Sequence, residues 1–118
     1  MSYEFKNKQT NPYFPEITDV QPLEVKENAA SLELIDVREE AEFHGELGHI
    51  PGAKLVVLSS IPESVKSLPK DKTIVFVCRS GGRSAQAASF ARNEGFTDIY
   101  NMQGGMLLWN QLNLPTEK

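Results

Sequence analysis

The chain has 118 residues, a net charge of −4 and a single cysteine. That length suits one domain burying about two thirds of its unfolded surface, and a lone cysteine excludes an internal disulfide. The acidic balance leaves no basic footprint for nucleic acid. No apolar run is long enough to span a bilayer, and the polar opening Met1–Lys8 lacks the apolar stretch of a secretory signal; the expectation is no nucleic acid, no membrane and a cytoplasmic location.

Residues 1–15 contain Asn11, Pro12 and Pro15 without periodicity and read as a loose N-terminal arm, with Tyr13 and Phe14 as the rings by which it could lie over the body. A single domain is expected over 16–118. From Ile17 onward short apolar runs alternate with helix-patterned stretches, which predicts an α/β domain with a largely parallel sheet. In chain order, the runs predict a strand over Ile17–Val20, a helix over Pro22–Ala30, a strand over Leu32–Val37 and a short helix over Glu39–Phe43. A strand over Lys54–Val57, a helix over Ser60–Leu68 with Pro62 in its first turn, and a strand over Thr73–Val77 follow. The last elements are a helix over Ser84–Glu94 stopped by Gly95, a strand over Asp98–Tyr100 and a helix over Gly105–Asn110.

Thr73–Val77 is almost wholly apolar, as a central strand buried on both faces should be. Ligands of open α/β sheets bind outside the carboxyl ends of strands, and Cys78 follows this one immediately. The loop Cys78-Arg79-Ser80-Gly81-Gly82-Arg83-Ser84 then opens into a helix. Glycines allow positive φ and close approach of backbone to ligand, successive amides make an anion nest, and two guanidinium groups add positive charge. A thiolate there is stabilised and nucleophilic. The reading requires that Cys78 not be sealed in and that the surrounding N–H groups point inward.

Two enzyme classes use such a loop: phosphatases, which form a cysteinyl phosphate, and sulfurtransferases, which carry sulfur as a persulfide. The phosphatase signature places five residues between cysteine and arginine; here four separate Cys78 from Arg83, and Ser84 stands where that arginine would be. The shorter loop makes a smaller bowl, better matched to one sulfur atom than to a phosphoryl group. A small phosphatase or arsenate reductase using the same thiolate is the rival enzyme reading, and a noncatalytic module that docks a partner or responds to cysteine oxidation is the alternative outside enzymology.

Elsewhere, Asp36-Val37-Arg38-Glu39 follows a strand end, so Asp36 is expected to cap the next helix and Arg38 to pair with a carboxylate such as Glu42. Glu39, Glu40, Glu42 and Glu46 read as a solvated helix face. His49 is expected to satisfy backbone carbonyls in a turn, His44 is less constrained, and the spacing of the two histidines and one cysteine matches no zinc set. No metal is expected. Gly104–Trp109 reads as a turn into a helix packed on the core.

Taken in order, Asp36–Glu39, Gly48-His49-Ile50-Pro51-Gly52-Ala53, Cys78–Ser84 and Gly104–Trp109 resemble the single-domain rhodaneses, the thiosulfate-type sulfurtransferases, over nearly all of residues 16–112. The resemblance implies a three-layer fold, a mostly parallel five-stranded sheet with helices on both faces, and a catalytic cysteine after the fourth strand. It also implies a small-molecule sulfur donor such as thiosulfate, and no cofactor. On this reading Cys78 is the catalytic residue. Arg79 and Arg83 attract the anionic donor, and the amides from Ser80 through Gly81, Gly82 and Arg83 to Ser84 hold the transferred sulfur. With no second cysteine to resolve the intermediate, the acceptor is external: cyanide, a small thiol or a protein cysteine.

Overall fold

Apolar alternation along one buried strand organises the molecule, which is described for residues 3–118 by a computed structural model. In β5 (Thr73–Val77) every residue is buried. Ile74, Phe76 and the following Cys78 face one core with Ala87, Ala88, Ala91, Ile61 and Val65, while Val75 and Val77 face a second core with Val20, Val25, Met102, Met106 and Trp109. The period of two in strand side chains thus divides one sequence run between two helical layers.

The remaining elements take their places around β5. They are β1 (Lys8–Thr10), β2 (Thr18–Val20), α1 (Pro22–Glu27), β3 (Leu32–Asp36), α2 (Glu40–Phe43), β4 (Lys54–Leu55), α3 (Ile61–Ser64), α4 (Gly82–Asn93), β6 (Ile99–Met102) and α5 (Gly105–Gln111), with 3-10 turns at Ala29–Ser31, Leu58–Ser60 and Val65–Ser67. Sheet order is β1-β2-β6-β5-β3-β4. β2, β6, β5, β3 and β4 run parallel, with Leu34 opposite Val75 and Phe76 opposite Asn101. The fold is the expected three-layer α/β arrangement with helices on both faces.

The sheet has a sixth strand where sequence predicted five. Residues 8–10, read as loose arm, pair antiparallel with β2, Lys8 opposite Val20 and Thr10 opposite Thr18. Preceding residues are held by Glu24, whose carboxylate accepts the Tyr3 hydroxyl (2.6 Å) and the backbone N–H groups of Lys6 (2.7 Å) and Asn7 (3.1 Å). Phe5 is buried against the second core, and Phe14 packs on the first. Tyr13 stays 85% exposed.

Other boundaries shift for local reasons. The helix predicted over Ser60–Leu68 is one turn of α-helix between two 3-10 turns. The strand predicted over Lys54–Val57 keeps only two residues: the Val56 N–H still reaches the Asp36 carbonyl in register with β3, but the Leu58 N–H goes to the Val37 carbonyl, one residue out of step, and the chain enters the 3-10 turn Leu58–Ser60. Gly95, at φ 99°, ends α4 as expected. Among the described residues no helix is long and apolar enough to cross a membrane.

Replacing Glu24 by Ala should release the arm by removing the acceptor shared by Tyr3, Lys6 and Asn7. The expected cost is about 1–3 kcal/mol by urea denaturation, with faster hydrogen exchange at the Lys6 and Asn7 amides and unchanged exchange in β5.

Candidate active site

Chain direction changes abruptly after β5. Gly81, at φ 107°, takes the left-handed conformation that closes the loop and serves as N-cap of α4, so the helix begins at Gly82, two residues before the predicted start. A side-chain-bearing residue rarely adopts that φ. The N–H groups of Gly82, Arg83 and Ser84 occupy the first helical turn and so have no intrahelical acceptors.

The loop is gripped from behind by α5. The carbonyl of Cys78 accepts the Met106 N–H (2.9 Å) and that of Arg79 accepts the Leu107 N–H (3.0 Å). This approach is possible only because residue 105 is glycine: a Cβ there would lie 2.5 Å from Arg79 C, Arg79 O and Cys78 O. The Gly104-Gly105 pair is therefore part of the cysteine loop's support as well as a helix start.

Cys78 Sγ accepts the Gly81 N–H at 3.0 Å, so at this amide the loop points inward as the sequence reading required. The side chain itself is only 1% exposed, which departs from the expectation that Cys78 not be sealed in: the loop closes over the sulfur, and a ligand reaches it only past the loop backbone. Ser84 Oγ lies 3.2 Å from Sγ and also hydrogen-bonds Asn101 Oδ1. Asn101 is oriented by its Nδ2, which donates to Asp19 Oδ1 at 2.9 Å. Ser84 has one hydroxyl proton, so it donates either to the sulfur or to the fixed amide oxygen. Ser84 is fully buried within the first turn of α4 and does not cap that helix.

The two arginines differ. Arg79 is exposed and makes no ion pair among the described residues. Arg83 donates to both carboxylate oxygens of Glu42, at 2.7 and 2.8 Å. Those guanidinium hydrogen bonds prevail over desolvation and hold the Glu42 carboxyl down at about 2, below its ordinary 4.5. Ser80 and Gly82 are exposed on the loop's outer surface.

Glu42 is thus not simply part of a solvated acidic face. Nor does it pair with Arg38, as the i, i+4 spacing suggested. Arg38 is 1% exposed and donates instead to Asp36, Nε at 3.0 Å and Nη2 at 2.8 Å, and from Nη2 to the Gly48 carbonyl at 2.7 Å. Asp36 caps no helix. Glu39 does, in a capping box with Glu42. His49 Nδ1 donates to the Phe43 carbonyl at 2.8 Å, the structural role expected of it. Among the described residues no three metal-ligating side chains gather.

Sequence reasoning missed Glu42, Asn101 and Asp19 as neighbours of the loop. Glu42 was visible as a carboxylate after the Asp36–Glu39 strand end. Asp19 and Asn101 meet only through the β2–β6 register, which no local signal encodes.

Comparison with known proteins agrees with this geometry. The family model described as "Rhodanese-like domain" matches residues 21–112. A putative sulfurtransferase, YtwF of Bacillus subtilis, is 39% identical over 85% of this chain and 97% of its own length. The thiosulfate sulfurtransferase GlpE of Pseudomonas aeruginosa is 30% identical over 84% and 86%. The crystal structure of a rhodanese-related protein from Thermoplasma volcanium superposes with a TM-score of 0.76 at 29% identity, covering 82% of this chain and 94% of that one. The chain belongs to the rhodanese-like domain family, and YtwF and GlpE carry the name sulfurtransferase, YtwF as a putative one.

Two outcomes follow from the loop's supports. Gly105→Ala should force the Cys78 and Arg79 carbonyls away from α5 and cost about 1–3 kcal/mol from the strained φ alone; urea denaturation measures the loss, and alkylation of Cys78 changes rate with it. Glu42→Gln should destabilise the fold most above pH 4.5, where the unfolded carboxyl is ionised, and progressively less as pH falls toward 2, where the folded one is neutralised. Urea midpoints of both proteins across that range check the sign.

Proposed function

We propose that this protein is a sulfurtransferase that moves a sulfane sulfur from a small anionic donor, thiosulfate or a compound like it, to an external acceptor through a persulfide on Cys78. The observation that carries the reading is Cys78 Sγ held at the floor of a short loop, within hydrogen-bond reach of the Gly81 N–H and the Ser84 hydroxyl. Those two donors favour a negative sulfur. The names of YtwF and GlpE support the same chemistry.

In the first step the Cys78 thiolate attacks the outer sulfur of thiosulfate. A Sγ–S bond forms, the bond between the two thiosulfate sulfurs breaks, and sulfite leaves with the electron pair. Burial of Cys78 selects a donor that presents one slender terminal atom, which a sulfane sulfur is and a tetrahedral phosphoryl group is not. Arg79, exposed and unpaired among the described residues, draws the anion to the mouth; Arg83, locked to Glu42, holds the loop's rim and adds less net charge. In the second step an acceptor such as cyanide or a thiol attacks the outer sulfur, and Cys78 leaves as thiolate. The first-turn amides of Gly82, Arg83 and Ser84 are the additional donors available to the transferred atom.

Incubation with thiosulfate should add the mass of one sulfur atom to Cys78, and cyanide should remove it as thiocyanate. Cys78→Ser should do neither. Absence of the adduct, undiminished thiocyanate from Cys78→Ser, or Cys78-dependent hydrolysis of an aryl phosphate in place of sulfur transfer overturns the proposal. Partner binding without any sulfur turnover would restore the noncatalytic reading.

A further inference from the structure

Beside the cysteine loop lies a cleft of about 440 Å³, within the range of small-molecule sites. One wall is the loop itself at Ser80–Gly82, and the other is Asn11–Phe14 of the N-terminal arm, with Asp19, Asn101 and Gln103 between them. The arm wall falls outside the residues matched by the family model, 21–112.

Asp19 is only 5% exposed. Its Oδ1 accepts side-chain N–H groups from Asn11 and Asn101, both at 2.9 Å, which fixes the carboxylate in place. Among the described residues Oδ2 receives no hydrogen bond, and Asp19 has no lysine, arginine or histidine within ion-pair distance. Among the described residues no buried side-chain oxygen lacks a partner, so Oδ2 is the carboxylate oxygen that opens to solvent in the cleft and is free to meet a cation. No lysine or arginine lines the cleft. The exposed ring of Tyr13 stands on its wall, and an aromatic face attracts a cation as a carboxylate does. The charge is also near the chemistry, since Asn101 connects Asp19 to Ser84, whose hydroxyl lies 3.2 Å from Cys78 Sγ.

We propose that this cleft binds an organic ammonium group, set against Asp19 Oδ2 with its apolar body on Tyr13 and Phe14, and that it seats the cationic end of a small aminothiol acting as sulfur acceptor. The second half rests on the sulfur-transfer reading; the first does not. Cys78 does not line the cleft, but the loop wall there is Gly81 and Gly82, which present no side chains, and the acceptor's sulfur passes over that wall to the outer persulfide sulfur. Its thiolate, the thiol proton having gone to solvent, attacks the outer sulfur. A new S–S bond forms on the acceptor, the Sγ–S bond breaks, and Cys78 keeps the electron pair as thiolate.

Binding is tested without turnover by titrating isotope-labelled protein with benzylamine, and with benzyl alcohol as the neutral counterpart, at physiological salt where diffuse surface attraction is screened. Benzylamine should shift the side-chain amides of Asn11 and Asn101 and the backbone amides of Gly81 and Gly82, and should bind about tenfold more tightly than the alcohol, a difference Asp19→Asn abolishes. Tyr13→Ala, at an exposed position, should weaken benzylamine severalfold and keeps the test usable if Asp19→Asn does not fold. Equal binding of both probes, or shifts elsewhere only, overturns the cleft.

For the acceptor, sulfur removal from the loaded protein by cysteamine is compared with 2-mercaptoethanol: the preference for cysteamine should fall about tenfold in Asp19→Asn. An unchanged ratio, with cyanide still discharging the persulfide, overturns the acceptor role alone. Failure of cyanide to discharge any sulfur overturns the transfer reading and leaves the benzylamine result standing.

Discussion

The site depends on one backbone contact: the carbonyls of Cys78 and Arg79 pressed against the first amides of α5, across a residue with no Cβ. A strand that ends at a reactive side chain must turn away at once, and its last carbonyls then need donors that the sheet no longer supplies. α5 supplies them. The same contact sets where Gly81 falls, and thereby where its N–H meets the sulfur. Sulfur, loop and α4 are thus placed by an element more than twenty residues later in the chain, and the Gly104-Gly105 pair belongs to the site although it touches no reacting atom.

Buried charge fixes the opposite side of the crevice. Asp36 and Arg38 are both almost wholly buried, and such a pair stabilises only where its remaining hydrogen-bonding capacity is met. Here the second guanidinium donor reaches the Gly48 carbonyl and the Asp36 carboxylate also accepts the Arg38 N–H at 3.0 Å. The pair thereby ties the end of β3 to the turn that leads into β4. Glu42 is left to Arg83, and the charge of that arginine is largely matched before any ligand arrives.

The central strand, the two-core alternation and the cysteine loop were legible in sequence because each is local: a five-residue apolar run, a period of two, a glycine-bearing turn into a helix. The errors were in pairings across distance. The i, i+4 rule assigned Arg38 to Glu42, but a residue at a strand end is not on a helix, and its nearest carboxylate lay two positions back. The arm read as loose because its order comes from Glu24 and from pairing with β2, neither of which leaves a pattern within residues 3–14. Asp19 and Asn101 are ordinary polar residues in sequence. Parallel register alone makes them neighbours of each other and of Ser84.

Those distant pairings give the two sides of the loop different linings. The hollow containing Arg38, Glu42, Glu46 and Arg79 carries charges of both signs and shares no residue with the cleft containing Tyr13, Asp19 and Gln103, whose one ionised side chain is Asp19. On the sulfur-transfer reading this asymmetry solves a problem that every two-step group transfer faces: donor and acceptor visit the same sulfur in turn, and an acceptor resting in the donor's place blocks the next cycle. An anionic donor is drawn toward Arg79 and repelled by Asp19, whereas a cationic acceptor experiences the reverse. Ser84 stands between the two sides: its single hydroxyl proton serves either Sγ or the Asn101 Oδ1 that Asp19 helps to orient, so a change at Asp19 bears on the hydrogen bonding open to the sulfur.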